Sequence, residues 1–446
     1  MPQSLRVKPG AKHPVWKTQS PGLKNPNKPF FRNSSAAGHE PEWSLKPSAE
    51  TENGLHRIAT GADRESIQKR WDSLAVSDDI RREIADTQSL LRNDTYRQNI
   101  ENYIGTVKVP VGIAGPLRIN GAFAQGDYYI PLATTEAALV ASYNRGTCVI
   151  GKAGGCTAIL LNEGVNRAPG FVFKSLPQAN FFVKWVLSQI EEFKRVAAAT
   201  SRFCKLTNIK HSIEGNRVYL NFEFFTADAS GQNMVTIATD AICNYIFHHS
   251  PFQPVRWYVE ANFSGDKKAS SQSFQSVRGK KVAAEVIVPK EVVEKSLHTT
   301  ADQIAHYYQV STIGALLSGT IGIQGHYANS LAALYLACGQ DVACVAESAV
   351  GITRFECIDG GDLYASVTLP NLMVATVGGG TGLPSQRTCL EILGLSGPGN
   401  ANAFAEVAAG LCLAGEISIA AAISSGEFTQ AHKRLARGNP SPGQGR

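Results

Sequence analysis

The sequence lacks the patterns that identify several large classes of protein. Its nine cysteines include no Cys-x-x-Cys pair, which argues against a zinc knuckle or a disulfide scaffold and favours a reducing compartment. No run of eighteen or more apolar residues is present, so we expect no membrane span. The first residues carry no apolar segment of the signal-peptide type. We therefore expect a cytoplasmic protein without a metal cofactor or a membrane partner.

The charge pattern also excludes a nucleic-acid-binding surface. The 446 residues carry a formal net charge of only +6, and many of the cations fall in the first thirty-odd residues. No basic stretch is regularly interleaved with aromatic residues, as in many nucleic-acid-binding proteins. The G-x-G-x-x-G fingerprint of a Rossmann dinucleotide-binding fold is also missing after any strand-like segment. Hydrophobic content of 43% and charged content of 18% are typical of a soluble globular enzyme, and 446 residues are enough for two or three domains. We expect no nucleic-acid partner.

Composition divides the chain into segments. Residues 1–55 are rich in Pro, Lys, Asn and Ser and predict a disordered or loosely docked basic arm. Residues 56–100 are charged and predict an N-terminal helical segment, with Ser77 in a capping pattern. Residues 436–446 are basic and rich in Gly and Pro, as expected of a flexible tail.

The central part predicts two interleaved domains. Within 169–258 an amphipathic helix, an alternating strand, a second helix and another strand follow one another, which predicts a small α+β sandwich with an antiparallel sheet. The segments 101–168 and 259–435 would together form the large domain. Their Ala/Gly-rich helices are expected to pack closely in its core.

Four polar residues stand in surroundings otherwise suited to packing: Glu136, Lys267, Asp341 and His432. Taken singly, each has an ordinary interpretation as a first-turn helix carboxylate, a solvated turn, a loop cap or an exposed tail residue. The glycine-rich stretch "VGGGTG" at 377–382 would let backbone amides approach a phosphate. Gly-rich turns are common, so this stretch is also weak evidence alone.

The combination of motifs is specific. The strings "ENYIGTVKVPVGIAGPL", "ATTEAALVASYNRG", "DASGQNM", "SGDKK", "ACGQD" and "TVGGGTGLPSQ" precede an Ala-His pair near the C-terminus. In this order and spacing, from about residue 60 to 435, the sequence resembles the 3-hydroxy-3-methylglutaryl-CoA (HMG-CoA) reductase family. The resemblance implies an α/β (α+β) fold, with a large CoA- and substrate-binding domain around a long central helix. An inserted small ferredoxin-like domain would bind NADP.

The resemblance also implies a reaction and an assembly. The family reduces a CoA thioester, HMG-CoA, to the alcohol mevalonate with NADPH and releases CoA, in the isoprenoid-forming mevalonate pathway. It works as a homodimer or a dimer of dimers with the active site at the subunit interface.

By this resemblance the four polar residues have catalytic roles. Lys267 would be a buried cation that stabilises the carbonyl oxygen, and Asp341 would hydrogen-bond both Lys267 and Glu136. Glu136 would protonate the carbonyl of the second step, which requires a raised pKa. His432 would protonate the departing CoA thiolate from a terminal flap.

Further site residues carry over from the same motifs. Those that would contact the acyl group are Arg167, Asn262, Asp266, Lys268 and Asn329. Those that would bind the cofactor are Ser201, Arg202, Asp228, Gln232, Asn233, Met234, Gly378, Gly379, Gly380 and Thr381. The segment from Glu101 to Leu117 would contact CoA. Arg202 favours NADPH over NADH, because a guanidinium suits the extra phosphate.

The chain departs from the family pattern near the acyl group. Glu260 stands where the family has a serine, and Glu347 is added after Asp341. Ser230 and Gln232 replace methionines. These changes leave open the same chemistry on a different acyl-CoA. A non-catalytic CoA-binding paralogue is a further alternative, against which the complete set of four catalytic residues weighs.

Overall fold

The computed structural model describes residues 61, 63–74 and 76–429. The predicted arm at 1–55, the tail at 436–446 and His432 lie outside the described residues. Predictions that concern them therefore stay predictions.

The helices of the described residues are short near the start and long in the core. In chain order they are α1 Arg64–Asp72, α2 Asp78–Ile84, α3 Thr87–Leu91, α4 Asn93–Tyr96, α5 Leu139–Lys152, α6 Leu176–Ser188, α7 Ile190–Thr200, α8 Gln232–His249, α9 Lys290–Leu297, α10 Ala301–Ser318, α11 Tyr327–Ala337, α12 Val345–Ser348, α13 Pro384–Ile392 and α14 Ala401–Ser424. Ser77 occupies the N-cap position of α2, as predicted, but its side chain makes no capping hydrogen bond.

In the part of the chain that the structure describes, ten strands join into one mixed sheet. They are β1 Val111–Gly121, β2 Gln125–Ala133, β3 Cys156–Arg167, β4 Gly170–Val172, β5 Lys205–Glu214, β6 Arg217–Phe225, β7 Arg256–Tyr258, β8 Gly279–Val288, β9 Ile352–Cys357 and β10 Leu363–Leu372. The sheet runs in the order β7-β4-β6-β3-β8-β10-β9, with β5 beside β6 and with β1 beside both β2 and β3. The first part of β3 pairs with β8 and its last residues pair with β6, so this strand joins the two halves of the sheet.

The part of the sheet beyond β3 has a ferredoxin-like topology. The elements follow the chain as β4, α6 and α7, β5, β6, α8 and β7. The strands lie side by side as β7-β4-β6-β5, all antiparallel, which is the arrangement of a split βαβ fold. Alternate residues of β6, Phe222 and Phe224 among them, are buried with Phe182 and Phe193 from the helices. The predicted α/β fold class is confirmed.

The core of the larger part is α14. Nearly all of its 24 residues are buried. Within the described residues, α14 is the one helix that is long and apolar enough to cross a membrane. However, 83% of its most apolar stretch is buried inside the protein. Its buried Glu406 accepts hydrogen bonds from the backbone N–H groups of Phe123, Ala124 and Leu160. This carboxylate therefore fixes α14 against the turn between β1 and β2 and against β3.

Small residues let α14 approach α5 closely. A Cβ atom added to Gly146 of α5 would overlap the backbone carbonyl of Ala414, and one added to Gly415 would overlap the ring of Tyr143. Because the backbone of Ala414 cannot move aside cheaply and the Tyr143 ring is itself buried, both positions require glycine.

We expect Gly146→Ala to lower the free energy of unfolding by about 1–3 kcal/mol, the usual cost of overpacking a close contact. Gly151 of the same helix has open space where a Cβ would stand, so Gly151→Ala should be neutral or stabilise by about 0.5–1 kcal/mol. Urea unfolding of both variants measures the contrast. Equal stability of the two variants would show that α5 and α14 can separate without cost.

Candidate active site

One cavity of about 660 Å³ brings together four segments that are far apart in the sequence. Lys267, Asp341, the first turn of α8 and the glycine-rich stretch 378–381 all line it. The predicted catalytic cation and most of the predicted cofactor-binding residues therefore share one space.

Lys267 and Asp341 form an ion pair at the wall of this cavity. The Lys267 ammonium lies 2.9 Å from Asp341 Oδ2. Asp341 also accepts a hydrogen bond of 3.0 Å from the backbone N–H of Ala343, and so begins the 3-10 turn Val342–Cys344. The hydrogen bond with Asp341 raises the pKa of Lys267. Burial alone would raise the pKa of Asp341, but the hydrogen bond and charge of Lys267 outweigh it and lower that pKa.

The prediction that Lys267 is buried is wrong for a single chain. The side chains of Lys267 and Asp341 are 42% and 39% exposed, because no described segment of the same chain covers the turn that carries Lys267. The ammonium is nevertheless held by its ion pair with Asp341, and the backbone of Lys267 is left-handed with φ of 56°. In a single chain the Lys267 ammonium is therefore oriented but still in contact with solvent.

Gln232 adds a contact that the sequence did not reveal. It is the first residue of α8, and its Nε2 lies 3.3 Å from Asp341 Oδ2 and 3.0 Å from Cys344 Sγ. The amide therefore donates to the same carboxylate oxygen that pairs with Lys267. The sequence showed only that a methionine is replaced here.

The glycine-rich stretch has the shape of a cradle for a phosphate-bearing cofactor. Gly378 and Gly379 have positive φ, and an added Cβ on either would project into open space. Side chains here would fill the cavity that these glycines leave free. The amino end of α8, which also lines the cavity, favours an anion because its N–H groups are unpaired. These residues fit a dinucleotide phosphate.

Three residues predicted to bind the cofactor lie elsewhere. Asp228 Oδ1 accepts a hydrogen bond from the N–H of Ala401 at the start of α14, which is a structural role. Ser201 ends α7 and accepts a hydrogen bond from the N–H of Phe203. The Arg202 guanidinium stacks 4.6 Å from the centroid of the Phe203 ring. None of the three lines the cavity that holds Lys267.

Glu136 lies in a different cavity, of about 440 Å³, together with Asn329. Glu136 is exposed and precedes α5 rather than lying in its first turn. Its two carboxylate oxygens accept from Asn329 Nδ2 at 3.1 and 3.0 Å. Within one chain Asp341 and Glu136 line separate cavities, so the predicted hydrogen bond between them is absent from the described residues.

His326 is a site residue that the sequence reasoning missed. It lines the cavity of Glu136, and the buried carboxylate of Glu416 accepts from its backbone N–H at 2.8 Å and contacts its Nδ1 at 3.3 Å. Its ring stacks on Tyr143. Its Nε2 has no hydrogen-bond partner among the described residues. The usable signal was the "GHYAN" string, which places this histidine three residues before Asn329.

The remaining predicted acyl contacts form a charged cluster behind Lys267. Arg167 Nη1 lies 3.0 Å from Asp266 Oδ2 and 3.2 Å from Glu260 Oε2. Asn262 donates its backbone N–H to Glu260, and the Lys268 ammonium donates to the Asp266 carbonyl. Among the described residues, no group of three His, Cys, Asp or Glu side chains is placed to hold a metal ion.

Comparison with known proteins decides the family. The family model for hydroxymethylglutaryl-coenzyme A reductase matches residues 66–437. The chain belongs to the HMG-CoA reductase family. It is therefore an oxidoreductase.

Its relatives share most of its length. The chain is 43% identical over 393 residues to the HMG-CoA reductase of Pyrococcus horikoshii, which covers 86% of this chain and 93% of that protein. It is 45% identical over 351 residues to the reductase of Aeropyrum pernix, covering 77% and 83%. In fold it is similar to the class II HMG-CoA reductase of Streptococcus pneumoniae bound to NADPH in open conformations, with a TM-score of 0.61, 19% identity and coverage of 80% and 96%.

Replacing Asp341 by Asn should lower reductase activity and change its pH dependence. The Asp341 carboxylate raises the pKa of Lys267, so its loss lowers that pKa and the ammonium deprotonates at a lower pH. The alkaline limb of kcat/KM should move to lower pH, with a fall of about 10²–10³-fold at neutral pH, as for a lost oxyanion donor.

The matched control is Asp240→Asn on the exposed side of α8, where the carboxylate accepts a hydrogen bond from Asn244 Nδ2. It should leave the pH profile unchanged. An alkaline limb that stays in place in Asp341→Asn would show that the carboxylate does not set the charge of Lys267.

Proposed function

We propose that the protein reduces HMG-CoA to mevalonate and CoA with NADPH. The thioester takes up two hydrides and two protons, two NADPH become NADP⁺, and CoA leaves as the thiol. The observation that supports this most is the Lys267–Asp341 ion pair in the same cavity as the glycine cradle. A fixed cation beside a nucleotide site is what hydride addition to a carbonyl requires.

Lys267 would stabilise the oxygen of the reacting carbonyl in both reduction steps. Negative charge builds on this oxygen as the hydride adds, and a fixed ammonium in a dry site stabilises that charge by roughly 3–4 kcal/mol. Asp341 keeps the ammonium protonated and oriented, and Gln232 holds Asp341. NADPH, when bound, supplies the hydride.

Two other residues would supply protons. Glu136 would protonate the carbonyl oxygen of the second step, and Asn329 holds its carboxylate in place from the same cavity. His432 would protonate the CoA thiolate as it leaves. Without that proton CoA would have to leave as a charged thiolate, which is unfavourable in a site closed to water.

The cofactor would extend from the glycine cradle toward the ferredoxin-like part of the sheet. Gly378, Gly379, Gly380 and Thr381 with Asn233 and Met234 would hold its pyrophosphate and nicotinamide side. Ser201 and Arg202 would meet the 2′-phosphate at the end of α7, where a guanidinium and a hydroxyl are both available. This placement makes NADPH the preferred cofactor.

The active site would form between two subunits of a homodimer or a dimer of dimers. In one chain Lys267 and Glu136 line separate cavities, and Lys267 is half exposed. Helix α10 presents a row of exposed apolar side chains, with Leu317 83% exposed. The row consists of Val310, Ile313, Leu316 and Leu317. Apolar patches of this kind mark protein–protein interfaces, and a second copy would cover the patch and bring the two half-sites together.

A second candidate function is the same reduction on a different acyl-CoA. The observation that favours it is the Glu260 carboxylate on Arg167, at 3.2 Å, because Arg167 is the residue proposed to bind the free carboxylate of the acyl group.

We propose that the protein works in the cytoplasm, a reducing compartment, since all nine cysteines are free thiols in the described residues.

Purified protein should oxidise NADPH when HMG-CoA is added, with two NADPH consumed for each CoA thiol released and mevalonate as product. Loss of NADPH absorbance and thiol titration measure the ratio. Lys267→Ala should reduce kcat by about 10²–10³-fold, because it removes the oxyanion cation. A panel of acyl-CoA thioesters that leaves NADPH untouched in the wild-type protein would contradict the proposed reaction.

A further inference from the structure

A chain of buried charges ends beside the catalytic turn. Glu347, which is fully buried, accepts from Arg278 Nε at 2.5 Å, and Arg278 Nη2 lies 2.5 Å from Asp266 Oδ1. The other oxygen of Asp266 meets Arg167 Nη1, and the same nitrogen reaches Glu260. Asp266 directly precedes the catalytic lysine, so Arg167 lies next to the place where the acyl group binds.

In this row of charges, each guanidinium is already paired with at least one carboxylate. Burial raises the pKa of Glu347 in spite of Arg278, whereas Arg278 and Arg167 outweigh burial and lower the pKa of Asp266. With Glu347 protonated, two guanidiniums face the two carboxylates of Asp266 and Glu260; with it ionised they face three. A further carboxylate from a substrate would find no free guanidinium.

Glu260 is held where it blocks Arg167. Its Oε1 accepts from the N–H of Asn262 at 2.7 Å, and its Oε2 accepts from the N–H of Ala168 at 3.3 Å. The Arg167 side chain is only 8% exposed, and its Nε has no hydrogen-bond partner among the described residues. Because Nε is itself buried, the donor left for a substrate is Nη2, which also has no hydrogen-bond partner among the described residues, but the charge of the guanidinium is already matched.

The neighbouring Lys268 does not replace Arg167. Its side chain is exposed and its ammonium already donates to the Asp266 carbonyl at 3.0 Å. A solvent-exposed pair with a substrate carboxylate contributes little affinity.

We propose that Glu260 is a specificity-determining residue that occupies the face of Arg167 a substrate carboxylate would use. The site then takes an acyl-CoA whose acyl chain ends in an uncharged hydrogen-bonding group, such as an ester, amide or hydroxyl, at least as well as HMG-CoA. This inference rests on the proposed reductase function. Arg167 Nη2, which has no hydrogen-bond partner among the described residues, supplies the donor for the uncharged end.

The test compares HMG-CoA with its terminal methyl ester, which has the same thioester and branched carbon but no free charge. kcat and KM for both are measured with the wild-type protein, Glu260→Ser and Glu260→Gln. The control is Glu192→Gln, which removes an exposed glutamate–arginine pair with Arg195 on α7. Dissociation constants of both thioesters are measured by calorimetry on the same proteins.

In the wild-type protein the ester should have a kcat/KM equal to or above that of the acid. Glu260→Ser should improve the acid by about 10–100-fold, through KM with kcat unchanged, as expected when a charge-assisted hydrogen bond becomes available. The ester should change little, and Glu192→Gln should behave as wild type. A purely structural role would instead lower kcat for both thioesters alike.

The inference is overturned if the wild-type protein prefers the acid tenfold or more and Glu260→Ser brings no improvement. If neither thioester is reduced by any variant, the proposed reaction fails, and the ratio of the two dissociation constants decides the role of Glu260. The proposal is supported if the wild-type protein binds the two thioesters with similar dissociation constants and Glu260→Ser binds the acid more tightly than the ester. It is overturned if Glu260→Ser leaves the ratio of the two dissociation constants unchanged.

Discussion

Reduction of a thioester depends on a fixed cation that meets the charge developing on the carbonyl oxygen in a site without bulk water. The Lys267–Asp341 ion pair supplies the fixed cation at 2.9 Å. The second condition is not met by one chain, because both side chains remain substantially exposed. The need to exclude water therefore links the chemistry of the site to the assembly of the protein, and the exposed apolar row on α10 is consistent with that assembly.

The precision of the site comes from the buried core behind it. Glu416 of α14 holds the backbone N–H groups of Gly325 and His326 at 2.7 and 2.8 Å, and α11 carries Asn329 to Glu136. The close contact of α14 with α5, which only glycine permits, sets the distance between the helices. Packed helices therefore position Glu136, the proposed proton donor, through Asn329.

The sequence predicted the fold class and the grouping of Lys267, Asp341 and the glycine stretch, because each belongs to a long, specific motif. It did not predict the exposure of Lys267, since a motif shows which residues are present but not which segments cover them. Two contacts were also not predicted, because each joins segments that are far apart in the sequence. They are the contact of Gln232 with Asp341 and the contact of His326 with Glu416. The role of Asp228 in cofactor binding stays a prediction; what the sequence did not show is that its Oδ1 accepts a hydrogen bond from the N–H of Ala401 at the start of α14.

The most direct test of a site shared between subunits mixes two inactive proteins. Lys267→Ala and Glu136→Gln homodimers should each be nearly inactive, because every site lacks one catalytic group. In a mixed dimer one of the two sites receives Lys267 and Glu136 from different intact chains, so random mixing should restore about a quarter of wild-type activity, given the two-fold symmetry of such a dimer. Recovery of activity on coexpression, with mixed dimers confirmed by two affinity tags, is the expected result. Mixed dimers that stay as inactive as their parents would contradict a site built from two chains.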